Sequence, residues 1–169
     1  KTVEAVLKEN VFNKQIPFVF SSATLAENDS FDFLAKSLGI EKHTSFTIAS
    51  PFDYDEKMKI YLNTVGNNEE KYKICKKAIE RTEGRALVLF SSKEELQWFK
   101  ENNNDISYKF LYEGEAEISQ LVSTFQQEEQ TVLCAYHLWE GLDIPGMSLS
   151  NVIIWSLPYP PNDPVFEAK

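Results

Sequence analysis

The segment WEGLDIPG, residues 139–146, carries the residue types best suited to chemistry in this chain. Asp143 can accept a hydrogen bond from a ribose hydroxyl or hold an arginine, and Glu140 can hold an arginine. Gly141 between them lets the backbone approach a ligand closely or adopt a positive φ. The proline and glycine that close the segment stiffen and then turn it. The alternative is a plain turn whose carboxylates only face solvent.

Two more polar loops follow apolar runs. Ser22 and Thr24 lie in SSAT, after IPFVF, and their hydroxyls suit phosphate contacts or a hydrogen-bonded relay between domains. Ser91 and Ser92 follow ALVLF. They could cap the helix that begins near Lys93, donate to a backbone phosphate, or do both. Each motif alone also fits a common turn of small residues.

Apolar strands and amphipathic helices alternate along most of the chain. The patterns predict strands at 16–20, 45–50, 57–64, 85–92, 106–113, 131–136 and 151–157, and helices at 28–38, 67–84, 93–102 and 115–127. This alternation indicates an α/β fold with a mostly parallel sheet and helices on both faces. Ligands of such sheets bind beyond the carboxyl ends of the strands, so we expect the three polar loops to converge on one edge.

Composition narrows the classes of protein. The chain has 169 residues, 43% of them hydrophobic, enough for one well-filled core, and no apolar run long enough to span a bilayer. Its first residues lack the apolar region of a signal peptide. Cys75 and Cys134 lie among apolar neighbours, as reduced core thiols of a cytosolic protein do. No cysteine or histidine spacing indicates a zinc or iron–sulfur site.

The charge is uneven. A net charge of −9 argues against binding nucleic acid by bulk attraction. Residues 71–85 nevertheless hold six Lys or Arg against two Glu. This stretch fits a solvated helix face better than a phosphate-contacting face, and both remain open.

The usual nucleotide fingerprints are missing. The sequence has no GxxxxGK(S/T) phosphate loop and no GxGxxG motif. Only His43 and His137 could serve as imidazole bases, and we interpret His137 as a hydrogen-bonded structural histidine. We therefore expect that this chain cannot run a reaction alone and contributes half of a site.

The motifs occur in the order seen in superfamily 2 helicases of the DinG/XPD type, which this chain resembles from about residue 16 to its end. Residues 21–25 resemble motif III, 88–92 motif IV and 131–146 motif V. The tail LPYPPNDPVFEA resembles the segment that follows motif V in bacterial DinG proteins. Its wording is similar to that of Gram-positive DinG homologues, which often carry an N-terminal 3′–5′ exonuclease domain.

The resemblance implies the second RecA-like motor domain, a three-layer α/β sandwich. ATP with Mg²⁺ would bind between two such domains, with the phosphate loop and metal ligands on the first. Residues 1–24 could belong to the end of that first domain, and 25–169 to the second. The implied roles are ATP-cleft contacts for Glu140, Gly141 and Asp143, DNA contacts for Ser91, Ser92, Ala135 and Tyr136, and coupling for Ser22 and Thr24.

Departures from the family pattern matter as well. Motifs I, Ia, II and VI and the four iron–sulfur cysteines are not in the sequence. We therefore expect a piece of a larger cytoplasmic DNA repair or replication helicase, without catalytic residues or metal ligands of its own. Its expected partners are single-stranded DNA or DNA forks and the first motor domain, with no membrane.

Two other readings stay open. The chain could be a nucleic-acid-binding, ATP-regulated module that serves an attached 3′–5′ exonuclease. It could also be a flavodoxin- or receiver-like binding domain, for which Asp53, Asp55 and Glu56 are the available acidic cluster at a strand end.

Overall fold

The computed structural model describes residues 2–14 and 16–159. The chain divides between Tyr61 and Leu62 into two compact units. The DinG-like tail continues from residue 160 outside the described residues, so its resemblance stays a sequence observation. No helix within the described part is long and apolar enough to cross a bilayer.

The first unit holds short helices. Its elements are α1 (Val3–Leu7), a π-helical turn (Lys8–Phe12), α2 (Asp32–Leu38) and α3 (Tyr54–Lys57). The predicted helix before Gly39 is confirmed at its end, where Gly39 is in the left-handed conformation (φ 72°) and its amide donates to Lys36 O, but α2 begins at Asp32 and not at the predicted residue 28. The aromatic ring of Phe12 contacts those of Phe18 and Phe20, with centroids 5.1 and 6.2 Å apart.

Three strand predictions are wrong. Residues 16–20, 45–50 and 57–64 form no strand, and Val19 and Leu62 are 91% and 90% exposed. Strand formation needs a neighbour that pairs with the backbone, which local apolar content cannot supply. The acidic cluster proposed for a flavodoxin- or receiver-like site is likewise not at a strand end: Asp53 Oδ1 caps α3 by accepting from the amides of Asp55 and Glu56.

The second unit is built on a parallel sheet. Its strands are β1 (Ala86–Leu89), β2 (Lys109–Tyr112), β3 (Thr131–Ala135) and β4 (Asn151–Ile154), in the order β2-β3-β1-β4. Its helices are α4 (Asn68–Arg81), α5 (Lys93–Asn102) and α6 (Ile118–Gln127). The predicted α/β class with a parallel sheet is confirmed.

Alternate residues of each strand serve opposite faces of the sheet. Val88 and Phe90 pack with Ile79 of α4 and Phe99 of α5 in one cluster. The second cluster, on the other face, joins buried leucines of the strands to α6 and comprises Leu87, Leu89, Leu111, Leu121, Phe125, Leu133 and Ala135. Helices therefore cover both faces, in three layers.

Both cysteines lie in this core. Cys75 on α4 and Cys134 on β3 are free thiols and buried, as predicted. Burial raises the pKa of the Cys75 thiol to about 12 and raises that of Cys134 as well.

Candidate functional site

The carboxyl ends of the strands meet at one edge of the sheet. Leu89 at the end of β1 is in register with both Ala135 of β3 and Ile154 of β4. The segments that follow these strands therefore start side by side. Trp139 Nε1 donates to the carbonyl oxygens of Phe90, at 3.2 Å, and Tyr136, at 3.1 Å. This indole thus ties the loop after β3 to the end of β1.

This convergence confirms the expectation for the loops 91–92 and 139–143. Ser22 and Thr24 lie in the first compact unit, so their expected place beside those loops stays a prediction. They are exposed, and the Ser22 hydroxyl oxygen accepts from the Thr24 amide at 3.3 Å. This local hydrogen bond is typical of a serine turn.

In the loop of residues 138–144, apolar side chains pack on the sheet and the polar residues between them are exposed. Leu138, Trp139, Leu142 and Ile144 pack against the cluster beneath α6. The residues between them, Glu140, Gly141 and Asp143, are exposed. The loop is also held by α6, because Gln126 Nε2 donates to Asp143 O at 3.3 Å. Its apolar residues therefore anchor it while its polar residues point outward.

The outward carboxylates are available to a partner. Within residues 2–14 and 16–159, neither the Glu140 nor the Asp143 carboxylate has a hydrogen-bond or ion-pair partner. Gly141 has φ +79°, and a Cβ built on it would meet nothing within 4 Å. These two acceptors fit a ribose hydroxyl or an arginine better than a phosphate, since carboxylates repel phosphate oxygens.

Ser91 and Ser92 already have partners. Ser92 caps α5, as one of its predicted roles required, with its Oγ accepting from the Glu95 amide at 3.3 Å. Ser91 donates from its amide and its hydroxyl to Glu95 Oε2, at 3.0 and 2.9 Å. Ser156, just after β4, donates to Ser91 Oγ at 2.9 Å. A phosphate contact by the Ser91 hydroxyl would compete with this cluster.

The two predicted DNA-contact residues at the end of β3 and just after it differ in their exposure to solvent. Ala135 is fully buried, and its carbonyl oxygen accepts from the Phe90 amide at 2.9 Å. Its side chain therefore faces the core and not a ligand. Tyr136 is half-buried, and its ring centroid lies 4.2 Å from that of His137. Tyr136 was predicted either to stack on a base or to belong to the core. Its partial burial is compatible with both roles.

Sequence reasoning missed Glu113. Its side chain is only 8% exposed, and its Oε2 accepts from the amides of Tyr136, at 2.7 Å, and His137, at 3.0 Å. Its Oε1 lies 2.7 Å from His137 Nδ1, which confirms His137 as a hydrogen-bonded histidine. Loss of the carboxylate would leave the half-buried Tyr136 amide without its acceptor, at a cost of about 1–3 kcal/mol. The sequence did offer a signal for this residue. Glu113 directly follows β2, so it lies at the edge of the sheet where the strands have their carboxyl ends.

No cluster of three or more His, Cys, Asp or Glu suited to a metal occurs in the described part of the chain. The polar groups at this edge include hydroxyls, the His137 imidazole, the partnered carboxylates of Glu95 and Glu113 and the unpartnered carboxylates of Glu140 and Asp143, a set suited to binding a polar ligand.

Comparison with known proteins identifies the family. Residues 75–169, more than half of the chain, match the family described as Helicase C-terminal domain. The chain is 56% identical over 173 residues to the probable ATP-dependent helicase YpvA of Bacillus subtilis. It is 31% identical over 172 residues to the ATP-dependent DNA helicase YoaA of Escherichia coli, and 30% identical over 184 residues to the 3′-5′ exonuclease DinG of Bacillus subtilis.

These alignments cover 100%, 96% and 97% of this chain, but 27%, 27% and 20% of the three relatives. The chain thus spans about a quarter of the length of these relatives. The parallel sheet flanked by helices is consistent with a RecA-like helicase domain. The chain belongs to the helicase C-terminal domain family, in its DinG type.

Proposed function

We propose that this chain is part of the second motor domain of an ATP-dependent DNA helicase. The observation that carries the proposal is the loop 138–144, which presents the unpartnered carboxylates of Glu140 and Asp143 from an anchored backbone at the ligand edge. Such a loop suits a nucleotide held between two domains. The names of the helicase relatives YpvA and YoaA support the same reaction class.

In this proposal the chain supplies one wall of a cleft. Asp143 accepts from the ribose of ATP or, like Glu140, holds an arginine, and Gly141 keeps the approach open. Mg²⁺ and the phosphate-binding lysine belong to a first motor domain, because phosphoryl transfer needs both and this sequence has no phosphate loop. ATP supplies the free energy that closes and reopens the cleft.

The DNA side of the cleft comprises Ser91, Ser92, Ala135 and Tyr136. Of these four residues, Tyr136 has a ring that reaches the surface, where a base could stack. Ser92 can donate its hydroxyl proton to a phosphate while its oxygen caps α5. Ala135 contributes only as the buried spacer that places Tyr136. Ser22 and Thr24 couple the two motor domains.

The proposed partners are single-stranded DNA or DNA forks and the first motor domain, in cytoplasmic DNA repair or replication. We keep the proposed boundary between motor domains after Thr24, whereas the two compact units divide between Tyr61 and Leu62.

The test is ATP hydrolysis by the full-length protein that contains this chain. We expect single-stranded DNA to stimulate the rate and a strand-displacement assay to show unwinding of a forked duplex. A full-length protein that neither hydrolyses ATP nor binds single-stranded DNA would refute the proposal.

The second candidate is an ATP-regulated module of a 3′–5′ exonuclease. The match to the exonuclease DinG favours it, although the identity of 30% is below the 56% to the helicase YpvA. ATP would then change the rate of 3′-end digestion without strand displacement. Measuring both products on one forked substrate separates the two candidates.

A further inference from the structure

The Glu113 carboxylate connects the end of β2 to the first two residues after β3. Three N–H groups converge on it: the amides of Tyr136 and His137 and the ring Nδ1 of His137. Since an ionised carboxylate only accepts, the ring must donate from Nδ1, which fixes its orientation. The His137 side chain remains 73% exposed beside the Tyr136 ring. The carboxylate is thus buried while the ring that it holds faces outward.

This arrangement does more than close a turn. A buried carboxylate is costly unless its oxygens are satisfied, and here both are used on one dipeptide. The dipeptide stands at the ligand edge, and Tyr136 O is also held by the Trp139 indole. The backbone of this dipeptide is therefore held by Glu113 on one side and by the Trp139 indole on the other, and the His137 ring is held by Glu113.

We propose that Glu113 is a positioning residue for single-stranded nucleic acid, and that His137 is a further contact residue beside Tyr136. This inference rests on the proposed function. Glu113 acts through the dipeptide: it holds the two neighbouring rings where bases of a single strand can stack on them. The carboxylate itself, being buried, does not touch the strand.

The experiment uses full-length protein and measures ATPase rate against the concentration of a deoxythymidine oligonucleotide. We expect Glu113→Ala to raise the half-saturating concentration about tenfold, and to leave the KM for ATP and the rate at saturating DNA within about twofold. Glu113→Gln keeps an oxygen that accepts from both amides, so we expect it to restore the half-saturating concentration to within about threefold of wild type.

Two further variants isolate the effect. Glu115→Ala is the matched control, because that carboxylate, two residues along, pairs with Lys100 and not with the dipeptide. It should behave as wild type. His137→Ala removes the exposed ring together with the donor to Glu113 Oε1, so we expect it to weaken DNA binding severalfold and to lower the unfolding midpoint less than Glu113→Ala does. It also tests the proposal if Glu113→Ala does not fold.

The outcomes are distinct. A half-saturating concentration that stays at the wild-type value in Glu113→Ala or His137→Ala overturns the inference, as does an equal loss in Glu115→Ala. A Glu113→Ala variant whose saturated rate and KM for ATP deteriorate together with DNA binding shows a role in folding only, which also overturns it. Wild-type protein without DNA-stimulated ATPase overturns the proposed function itself.

Discussion

At the scale of single residues, the loop 138–144 assigns stability and binding to different side chains. Its apolar members pack on the sheet, and its carboxylates have no hydrogen-bond or ion-pair partner among the described residues. Stability and activity should therefore respond independently to mutation here.

Asp143→Ala should change the free energy of unfolding by less than about 0.5 kcal/mol, since an exposed carboxylate without a partner contributes little. In full-length protein we expect it to lower DNA-dependent ATPase at least about tenfold, as loss of a ribose or arginine contact would. Gly141→Val should act similarly, with an added strain of about 1–2 kcal/mol from its positive φ. Urea titration and ATPase assays measure the two effects. Wild-type turnover in both variants would show that the loop is only a turn.

At Ser92, the contribution to stability can likewise be measured separately from the contribution to DNA binding. Ser92→Ala removes the cap of α5 and should cost about 1 kcal/mol, whereas Ser92→Asp keeps an acceptor at that position and should retain stability. If Ser92 also donates to phosphate, the aspartate should weaken DNA binding more than the alanine does, by charge repulsion. Thermal unfolding and fluorescence anisotropy with labelled DNA give the two readouts. Equal DNA affinity in both variants would leave Ser92 as a cap only.

At the scale of elements, the turn between α4 and β1 lies closer to a neighbouring backbone than a side chain would allow. Gly84 has φ +90°, and a Cβ there would lie 2.5 Å from the backbone carbon of Gln130, just before β3. Replacement must move one of two backbones. A side chain at position 84 would therefore disturb the packing of this turn against the start of β3.

Gly84→Ala should lower the free energy of unfolding by about 2–5 kcal/mol, the sum of left-handed strain and overpacking. Gly66→Ala is the control, because Gly66 has an ordinary φ and open space around its Cα. It should be neutral or slightly stabilising. Urea denaturation of the 169-residue chain measures both, and equal midpoints would refute the clash.

The reactivity of the two core thiols reports whether the strands and helices around them are packed. Since burial raises the pKa of Cys75 and Cys134, both are protonated thiols at pH 8, and the thiolate is the reactive form. We expect them to react with a disulfide reagent at least about a hundredfold more slowly in native than in denatured protein. The released thiol chromophore reports the rate. Fast labelling of either cysteine in native protein would contradict this packing.

The elements show which features were predictable from sequence. The strand Ala86–Leu89 and the helix capped by Asn67 follow from local signals: a continuous apolar run, and an amide side chain that accepts from the Glu70 amide at 2.8 Å. The loops after β1 and β3 follow from the rule for parallel sheets. Each of these features depends on neighbours within a few residues or on one topological rule.

The features that the sequence did not predict depend on residues that are distant along the chain. Residues 16–20 have strand-like composition, yet no described residue pairs with them as a strand. Glu113 acts on Tyr136, 23 positions later, so only its place directly after β2 pointed to a role, and no local pattern identified its partner. The buried position of Ala135 was likewise a matter of its neighbours across the sheet.

At the scale of the whole molecule, the proposed function gives this chain one side of a reaction. It contains no phosphate loop, and phosphoryl transfer requires a lysine and metal clamp as well as an arginine finger. We expect the purified 169-residue chain not to hydrolyse ATP, with or without single-stranded DNA. Phosphate release measured beside full-length protein is the test. DNA-stimulated turnover by the short chain would refute this view of its role.

The anchoring of residues 138–144 by Leu138, Trp139, Leu142 and Ile144 has a thermodynamic consequence. A segment already immobilised in the free protein loses little conformational entropy when a ligand arrives. In the proposed function, nucleotide association at this loop should therefore be limited by the meeting of the two walls and not by refolding of the wall that this loop forms.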